Sequence, residues 1–291
     1  MTEATAAQLR SASWPHLRVF KLRSDSLGPT FTENILRRLL GQLPMLQGFI
    51  CSPGLLNRAG VVALTQINLL KLRALHVEPE SDAMPDFMKG NWPHLKCLSL
   101  GRGLRNEDLQ HLVTCPWSSL EQLELHGCSM TRTGMAHLTH AHLPMLKSLS
   151  FVNVSMLDSG RELRILAQGI WPQLLKLEIR HVPIIEERFQ ELALGDWPRL
   201  RVLTIENRFI FHDIMPYFVT ASWPDLACLT VCGTHHAWDA ASSIHLCMQK
   251  WPALQLLTLG PRIPRHSTDI VEMAKDKWPL LTVHVRDPRP K

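Results

Sequence analysis

The sequence of 291 residues has few aromatic side chains and no long apolar segment. Phenylalanine, tryptophan and tyrosine make up 7% of it, with a single tyrosine, so its core would be filled mainly by aliphatic side chains. No apolar run approaches the roughly 18 residues that a membrane-spanning helix needs. Residues 1–13 lack the apolar stretch of a secretory signal. These absences argue against a membrane or secreted protein and predict a cytoplasmic one.

Other signatures of defined chemistry are also missing. The seven cysteines include no C-x-x-C pair, the spacing common in zinc and redox sites. Gly101-Arg102-Gly103 lacks the lysine and the further glycines of a phosphate-binding loop. The net charge is +5, but acidic and basic residues are interspersed along the chain. This balance indicates a mild preference for acidic partners and differs from the clustered basic surface of nucleic-acid-binding proteins.

What the chain has in abundance is one nine-residue phrase, W-P-x-L-x-x-L-x-L, which is clearest at residues 197–205. Copies begin near residues 14, 43, 69, 92, 117, 143, 171, 197, 223, 251 and 278, at spacings of 23 to 29 residues. A period of this length is typical of a solenoid. The sequence therefore predicts a single domain, 1–291, built from about eleven repeats.

The phrase has a direct physical interpretation. Its last two leucines are two residues apart, so they share one face of a short strand. Stacked copies would form a parallel sheet with a continuous apolar ladder behind it. Eight of the nine tryptophans occupy the first position of the phrase, which indicates buried wedges. Helices are predicted between strands, for example over 160–167 and 186–192, and residues 78–82 are predicted to form a polar loop on the convex side.

The phrase resembles the leucine-rich repeat family, and the fifth copy, residues 120–138, is similar to the cysteine-containing and ribonuclease-inhibitor-like subclasses. The resemblance implies an α/β horseshoe with a parallel sheet on the concave face and helices on the convex face. It also implies that Cys128 occupies the family's asparagine or cysteine position, where the side chain bonds to loop backbone.

For function, the sequence predicts a non-enzymatic, monomeric scaffold of the leucine-rich repeat type that binds a protein partner on the concave face. The first alternative is the substrate-recognition region of an F-box-like ubiquitin-ligase adaptor, and the second is an enzyme with an appended or cryptic catalytic site. Residues 1–13 are too few for an F-box segment, so the first alternative requires a further N-terminal part.

Two groups of residues suggest chemistry without completing it. The densest set of possible metal ligands is His235, His236, Asp239 and His245 beside Cys228, Cys232 and Cys247. Cys228 and Cys232 would lie about 13 Å apart at opposite ends of one strand, too far for one ion. Cys115 and His111 are spaced for a nucleophile and base, but no orienting group or oxyanion donor accompanies them. We therefore predict no catalytic residue, no metal site and no cofactor.

A basic residue follows the first strand leucine in five copies, namely Arg18, Arg73, Lys96, Lys147 and Arg201. Such a column could follow a phosphate backbone, but Glu121 interrupts it, and long basic stems often cover apolar rims. Nucleic acid is therefore not a predicted partner.

The outward positions of the predicted strands carry no phenylalanine, tyrosine or tryptophan, which argues against stacking platforms for bases or sugars. Charge concentrates in the middle of the array, whereas Glu162 and Arg164 are predicted to be solvated helix charges. The predicted partner-binding residues are Glu124, His126, Lys176, Glu178, Arg180, Thr204 and Glu206. The alternative is that these charges only pair across neighbouring strands.

Overall fold

The computed structural model describes most of the chain between residues 14 and 285. The described residues are 14–22, 33, 36–37, 43–51, 56–102, 104–115, 117–158, 160–207, 210, 214–233, 240–260, 274 and 276–285. His235, His236 and Asp239 of the cysteine–histidine group lie outside them. Residues 1–129 and 140–146 belong to one compact unit, and residues 130–139 and 147–291 belong to a second. That the whole chain forms a single domain stays a prediction.

Each of the eleven phrases begins with the same tight turn. The backbone N–H of its first leucine donates to the carbonyl three residues earlier, at N–O distances of 2.9–3.2 Å. The bond joins Leu17 to Trp14 in the first phrase and Leu281 to Trp278 in the last. Proline follows the first residue in nine of the eleven phrases, where its fixed φ suits the second position of a turn. The turn is thus present at each of the eleven predicted starting positions.

In the first unit, five parallel strands pair in chain order. They are β1 (Val19–Leu22), β2 (Gly48–Cys51), β3 (Ala74–Val77), β4 (Cys97–Leu100) and β5 (Gln122–His126). Burial alternates along β1, β3, β4 and β5, while β2 is buried except at the half-exposed Ile50. In β4, Leu98 and Leu100 are buried, while Cys97 and Ser99 are half-exposed on the other face. The paired leucines therefore share the core-facing side, as the phrase predicted.

The second unit repeats the arrangement with six parallel strands. They are β7 (Ser148–Val152), β9 (Lys176–Arg180), β10 (Val202–Glu206), β11 (Cys228–Cys232), β12 (Leu256–Leu259) and β13 (Thr282–Val285). The remaining strands, β6 (Ser129–Met130) and β8 (Ser155–Met156), are two residues long. The backbone N–H of Leu157 donates to the carbonyl of Met130 at 2.9 Å.

Helical segments fill the connections between strands. The α-helices of the described residues span Arg58–Gln66, Met84–Phe87, Asn106–Leu109, Arg132–His140, Glu162–Leu166, Phe189–Leu192 and Ala240–Met248. Short 3₁₀ helices span Ser81–Ala83, Gln110–Thr114, Glu186–Arg188 and Met215–Phe218. The helix predicted over 160–167 is thus confirmed with slightly shorter bounds, and the one over 186–192 is half 3₁₀. None of the described helices is long and apolar enough to cross a membrane.

The tryptophans of the phrase are structural, as predicted. Trp197, Trp223 and Trp251 are fully buried and stack in sequence, with ring centroids 6.3 and 6.1 Å apart. Phenylalanines of the helical segments pack against them, for example Phe218 at 5.7 Å from Trp223. In the first unit, Trp117 stacks on its neighbour Trp92 at 6.0 Å. Each ring therefore bridges two repeats and the helical layer beside them.

A glycine two residues before the tryptophan makes room for its indole. A Cβ atom at Gly195 would lie 2.6 Å from the ring of Trp197, closer than real Cβ atoms approach other atoms. The Gly195 carbonyl also accepts a hydrogen bond from Nε1 of Trp223, at 3.1 Å. Gly90 and Gly169 have the same two roles. In these repeats the structural motif is therefore G-x-W, in which the glycine makes room for one indole and accepts a hydrogen bond from the next.

The bends after β5 and β10 differ in how they use the family's asparagine or cysteine position. Cys128 is buried, but burial raises the pKa of its thiol to about 12, so it is a neutral packing group. In the repeat of β10, Asn207 donates from its side-chain amide to the carbonyl of Ile184 at 3.1 Å. Asn207 thus forms the side-chain-to-loop bond expected of the family's asparagine. It lies one residue before Arg208, which occupies the sequence position equivalent to Cys128.

Candidate functional site

The strand faces opposite the buried leucines are called the open face here, and their central column is aligned by backbone pairing. In the first unit the column contains Lys21, Ile50, His76, Ser99 and Glu124. In the second unit it contains Ser150, Glu178, Thr204, Thr230, Thr258 and His284. The column predicted from the sequence is therefore in register within each unit.

Four charged residues predicted to bind a partner form one cluster in the second unit. Glu178 lies between Lys176 and Arg180 on β9, and its carboxylate contacts both at 3.0 Å and 2.5 Å. The guanidinium Nε of Arg180 lies 4.0 Å from Oε1 of Glu206 on the neighbouring strand. We call Lys176, Glu178, Arg180 and Glu206 the charge cluster.

Burial differs sharply within the charge cluster. The side chain of Glu178 is 11% exposed, whereas those of Lys176 and Arg180 are 42% and 40% exposed. Thr204, the neighbour of Glu178 across the sheet, is also buried. The acid is therefore covered by the two bases, and the cation heads remain accessible. The cross-strand pairing of the alternative is represented by Arg180 and Glu206, whereas Glu178 pairs with Lys176 and Arg180 within β9. These contacts leave Lys176 and Arg180 partly open to solvent.

The remaining predicted residues, Glu124 and His126, lie on β5 of the first unit. His126 lies close to His76 on β3 and to Glu78, which directly follows β3. The sequence analysis did not group these two residues with His126. Its Nε2 atom lies 3.9 Å from Oε1 of Glu78, and its ring centroid lies 6.0 Å from that of His76. The ligand-type atoms of His76, Glu78 and His126 all lie within 4.8 Å of one another.

The middle strand, β4, explains how these side chains meet above it. Gly101 follows β4 at the position between Glu78 and His126, and a Cβ there would lie 2.0 Å from Cγ of Glu78. Any side chain at this position would therefore displace Glu78. Ser99, the small neighbour of His76 across the sheet, leaves similar space beside it.

This geometry corrects one expectation and reveals a group of side chains that was not predicted. Residues 78–82 were predicted to form a loop on the convex side, but Glu78 is buried and turned towards His126 on the open face. No metal ligands were predicted, yet two imidazoles and a carboxylate meet here. The sequence did contain a signal for this group. His76 and Glu78 belong to one repeat, Gly101 follows the strand of the next repeat, and His126 ends the strand of the third.

The other chemical candidates gain no support from their surroundings. Burial raises the pKa of the Cys115 thiol, the opposite of what an activated nucleophile needs. Cys228 and Cys232 lie at the two ends of β11, as predicted. Lys96 of the basic column contacts Glu121 at 2.5 Å, so the acid that interrupts the column also neutralises part of it.

Arginines gather at an open cavity of about 440 Å³ beside the helices of the second unit. Its lining comprises Arg132, Arg161, Arg164, Ile165, Gln168, Arg188 and Glu191. Carboxylates already reach three of the bases, since Asp158 lies 3.2 Å from Arg132, and Glu191 lies 3.9 Å from Arg188 and 4.0 Å from Arg164. Ion pairing thus offsets part of the cavity's positive charge.

One helix charge was placed wrongly. Glu162 was predicted to be solvated, but it is fully buried, and its Oε1 accepts a hydrogen bond from the backbone N–H of Asp158 at 2.8 Å. It fixes the entry to the helix Glu162–Leu166. Arg164 is exposed, as predicted.

Comparison with solved structures identifies the fold. A chain of the yeast Rad7 and Elc1 complex is similar with a TM-score of 0.51 and 14% identity, over 94% of this chain and 79% of that one. The leucine-rich repeat-containing protein LegL7 from Legionella pneumophila is similar with a TM-score of 0.57 and 11% identity, over 93% and 91%. Comparisons with protein-family profiles and with curated proteins give no match. The predicted leucine-rich repeat fold is confirmed.

Proposed function

We propose that this chain is a non-enzymatic scaffold that binds a protein partner on the open face of its sheet, the face expected to be concave. The charge cluster of the second unit carries this proposal. Its side chains project from paired strands and are held by ion pairs, so they lose little conformational freedom on binding. The Rad7 and Elc1 structure, one of the similar folds, is itself a complex of two proteins.

The charge cluster also indicates what the partner surface would offer. Lys176 and Arg180 are its most exposed members, while Glu178 beneath them is largely covered. A partner would approach the two bases with carboxylates, and Glu206 would border the contact on the neighbouring strand, with the buried Thr204 beneath it. Alternating charges of this kind favour partner discrimination over raw affinity.

The narrower alternative is a substrate-recognition region of an F-box-like ubiquitin-ligase adaptor. Such a region would bind its substrate on the same open face. It would differ from a general scaffold in that ubiquitin-ligase subunits are attached to the chain. Co-purification with ubiquitin-ligase subunits would favour it. We further propose a cytoplasmic monomer. The buried thiols of Cys51 and Cys128 fit a reducing compartment.

Exchanging the charges of Glu178 and Arg180 should abolish partner binding. The variant Glu178→Arg/Arg180→Glu keeps the net charge and one acid–base contact but inverts the pattern that the partner meets. We expect at least a tenfold loss of affinity, since like charges placed opposite each other cost several kcal/mol. The measurement is retention of a partner, first captured by the wild-type chain, on each immobilised variant.

The matched control exchanges two exposed charges on the helical side, Arg164→Glu/Glu187→Arg. Glu162 is unsuitable because it is buried. Both variants must show wild-type circular dichroism. Retention by the Glu178/Arg180 variant together with loss in the helix control would contradict the proposal and move the binding surface to the helices.

A further inference from the structure

The first unit holds a second, separate constellation on its open face. Six positions form a grid of two columns over three strands. β3 and its end provide His76 and Glu78, β4 and its end provide Ser99 and Gly101, and β5 provides Glu124 and His126. In this grid β3 and β5 carry long polar side chains, whereas β4 contributes only the small side chain of Ser99 and the hydrogen atom of Gly101. The side chains of β3 and β5 therefore meet above β4.

Glu78 is the most constrained member of this grid. Its side chain is 6% exposed, so its carboxylate has largely lost the water that would stabilise its charge. Among the described residues, the only ion-pair contact of Glu78 is the one with His126, at the long distance of 3.9 Å. One contact at this distance compensates little of the cost of burying the acid. The buried acid thus faces two imidazoles at a spacing that leaves room for an ion between them.

We propose that His76, Glu78 and His126 bind a divalent transition metal ion of the zinc class. Two imidazole nitrogens and one carboxylate oxygen are donors that such ions take in protein sites with an open position. Calcium and magnesium, in contrast, prefer sites made wholly of oxygen ligands. This site does not depend on the proposed partner-binding function.

The spacing of the donors suits this ion. Tetrahedral ligands at zinc bond lengths lie about 3.4 Å from one another. The ligand atoms here lie within 4.8 Å, and Nε2 of His126 is already 3.9 Å from Oε1 of Glu78. Both histidines are half-exposed, so rotation of their side chains can close the difference. The remaining coordination positions would face solvent above the sheet.

Glu124 strengthens the site from a distance. It lies two residues before His126 on the same face of β5, roughly 7 Å away along the strand. Its carboxylate adds negative potential beside the ligands, which favours a divalent cation. Glu124 and His126 were predicted to serve a partner protein, and the grid gives them a common alternative use.

Gly101 sets the geometry without being a ligand. A methyl group there would occupy the space that Cγ and Cδ of Glu78 now fill, at 2.0 and 2.3 Å. Gly101→Ala would therefore push the carboxylate away from the histidines while leaving all three ligands in the sequence. This substitution separates a built site from a general affinity of surface histidines for metal.

Calorimetric titration of the metal-stripped full chain with ZnCl₂ tests the proposal. The wild-type chain should bind one Zn²⁺ more tightly than any other, and this affinity should fall at least tenfold in His126→Ala and in Glu78→Gln. Gly101→Ala should show a comparable loss. His94→Ala, which removes an exposed histidine from a turn of the same unit, should leave the affinity unchanged.

Two further measurements distinguish the loss of a metal ligand from a folding defect of the variant. Saturating Zn²⁺ should raise the Tm of the wild-type chain and not that of Glu78→Gln, because an ion bound only to the folded state stabilises it. Co²⁺ should give a visible absorption band that His126→Ala loses. Equal zinc affinity in the wild type, Glu78→Gln and His126→Ala, with circular dichroism unchanged, would overturn the assignment.

Discussion

Replacing Trp223 by alanine should lower the free energy of unfolding by about 3–5 kcal/mol. The indole of Trp223 is fully buried and contacts tryptophans on both sides, at centroid distances of 6.3 and 6.1 Å. Its removal deletes apolar contact with two repeats and the hydrogen bond to Gly195. Relaxation cannot close the cavity, because the strands on either side are fixed by their turns. Urea unfolding followed by circular dichroism measures the change.

The control for this substitution is Trp14→Ala. Trp14 begins the first phrase and is only partly buried, so it has less contact to lose. We expect a markedly smaller loss of stability. An equal or greater loss at Trp14 would show that stability does not follow the burial of the tryptophan ladder.

Replacing Gly195 by alanine should destabilise the chain by about 1–3 kcal/mol, although the substitution adds only a methyl group. Alanine stiffens the unfolded chain, which by itself would stabilise the protein by about 0.4–1 kcal/mol. The new Cβ would lie 2.6 Å from a rigid, buried indole, so overpacking outweighs that gain. The denaturant midpoint of the variant measures the balance.

The next repeat offers a matched comparison for Gly195. Ala221 occupies the same position two residues before Trp223 and is natively accommodated. Ala221→Gly should therefore lose only the small backbone term, about 0.5–1 kcal/mol. A Gly195→Ala variant as stable as the wild type would contradict the prediction. It would mean that the indole of Trp197 shifts easily to make room for a methyl group, as the indole of Trp223 does for Ala221.

The fold could be predicted because its signal is local and repeated. Every phrase contains its own turn and strand, and those between the first and the last also contain buried core residues, so eleven weak signals at a regular spacing reinforce one another. The role of Gly195 could not be predicted, although Gly-x-Trp occurs three times in the sequence. It depends on where the indole packs, which only the assembled helical layer determines.

The candidate site was predictable in part, for a related reason. Periodicity placed Glu178 and Thr204 in one column, and the register confirms that. It could not show that Lys176 and Arg180 cover Glu178, because that depends on the rotamers of long side chains. The trio of His76, Glu78 and His126 spans 50 residues of sequence and depends on the side chain that Gly101 lacks. Whether the predicted residues bind a partner stays a prediction.

The link from the indole of Trp223 to the carbonyl of Gly195 has an evolutionary consequence. Donor and acceptor belong to successive repeats at Trp117, Trp197 and Trp223, whereas the buried indole N–H groups of Trp92, Trp171 and Trp251 have no hydrogen-bond partner among the described residues. A duplication of one whole period that contains the link therefore inserts a new donor together with a new acceptor. An insertion of a fractional period would break the link and the stacking of neighbouring indoles. Such an array is expected to lengthen or shorten by whole repeats, while smaller insertions and deletions are confined to the loops between strands.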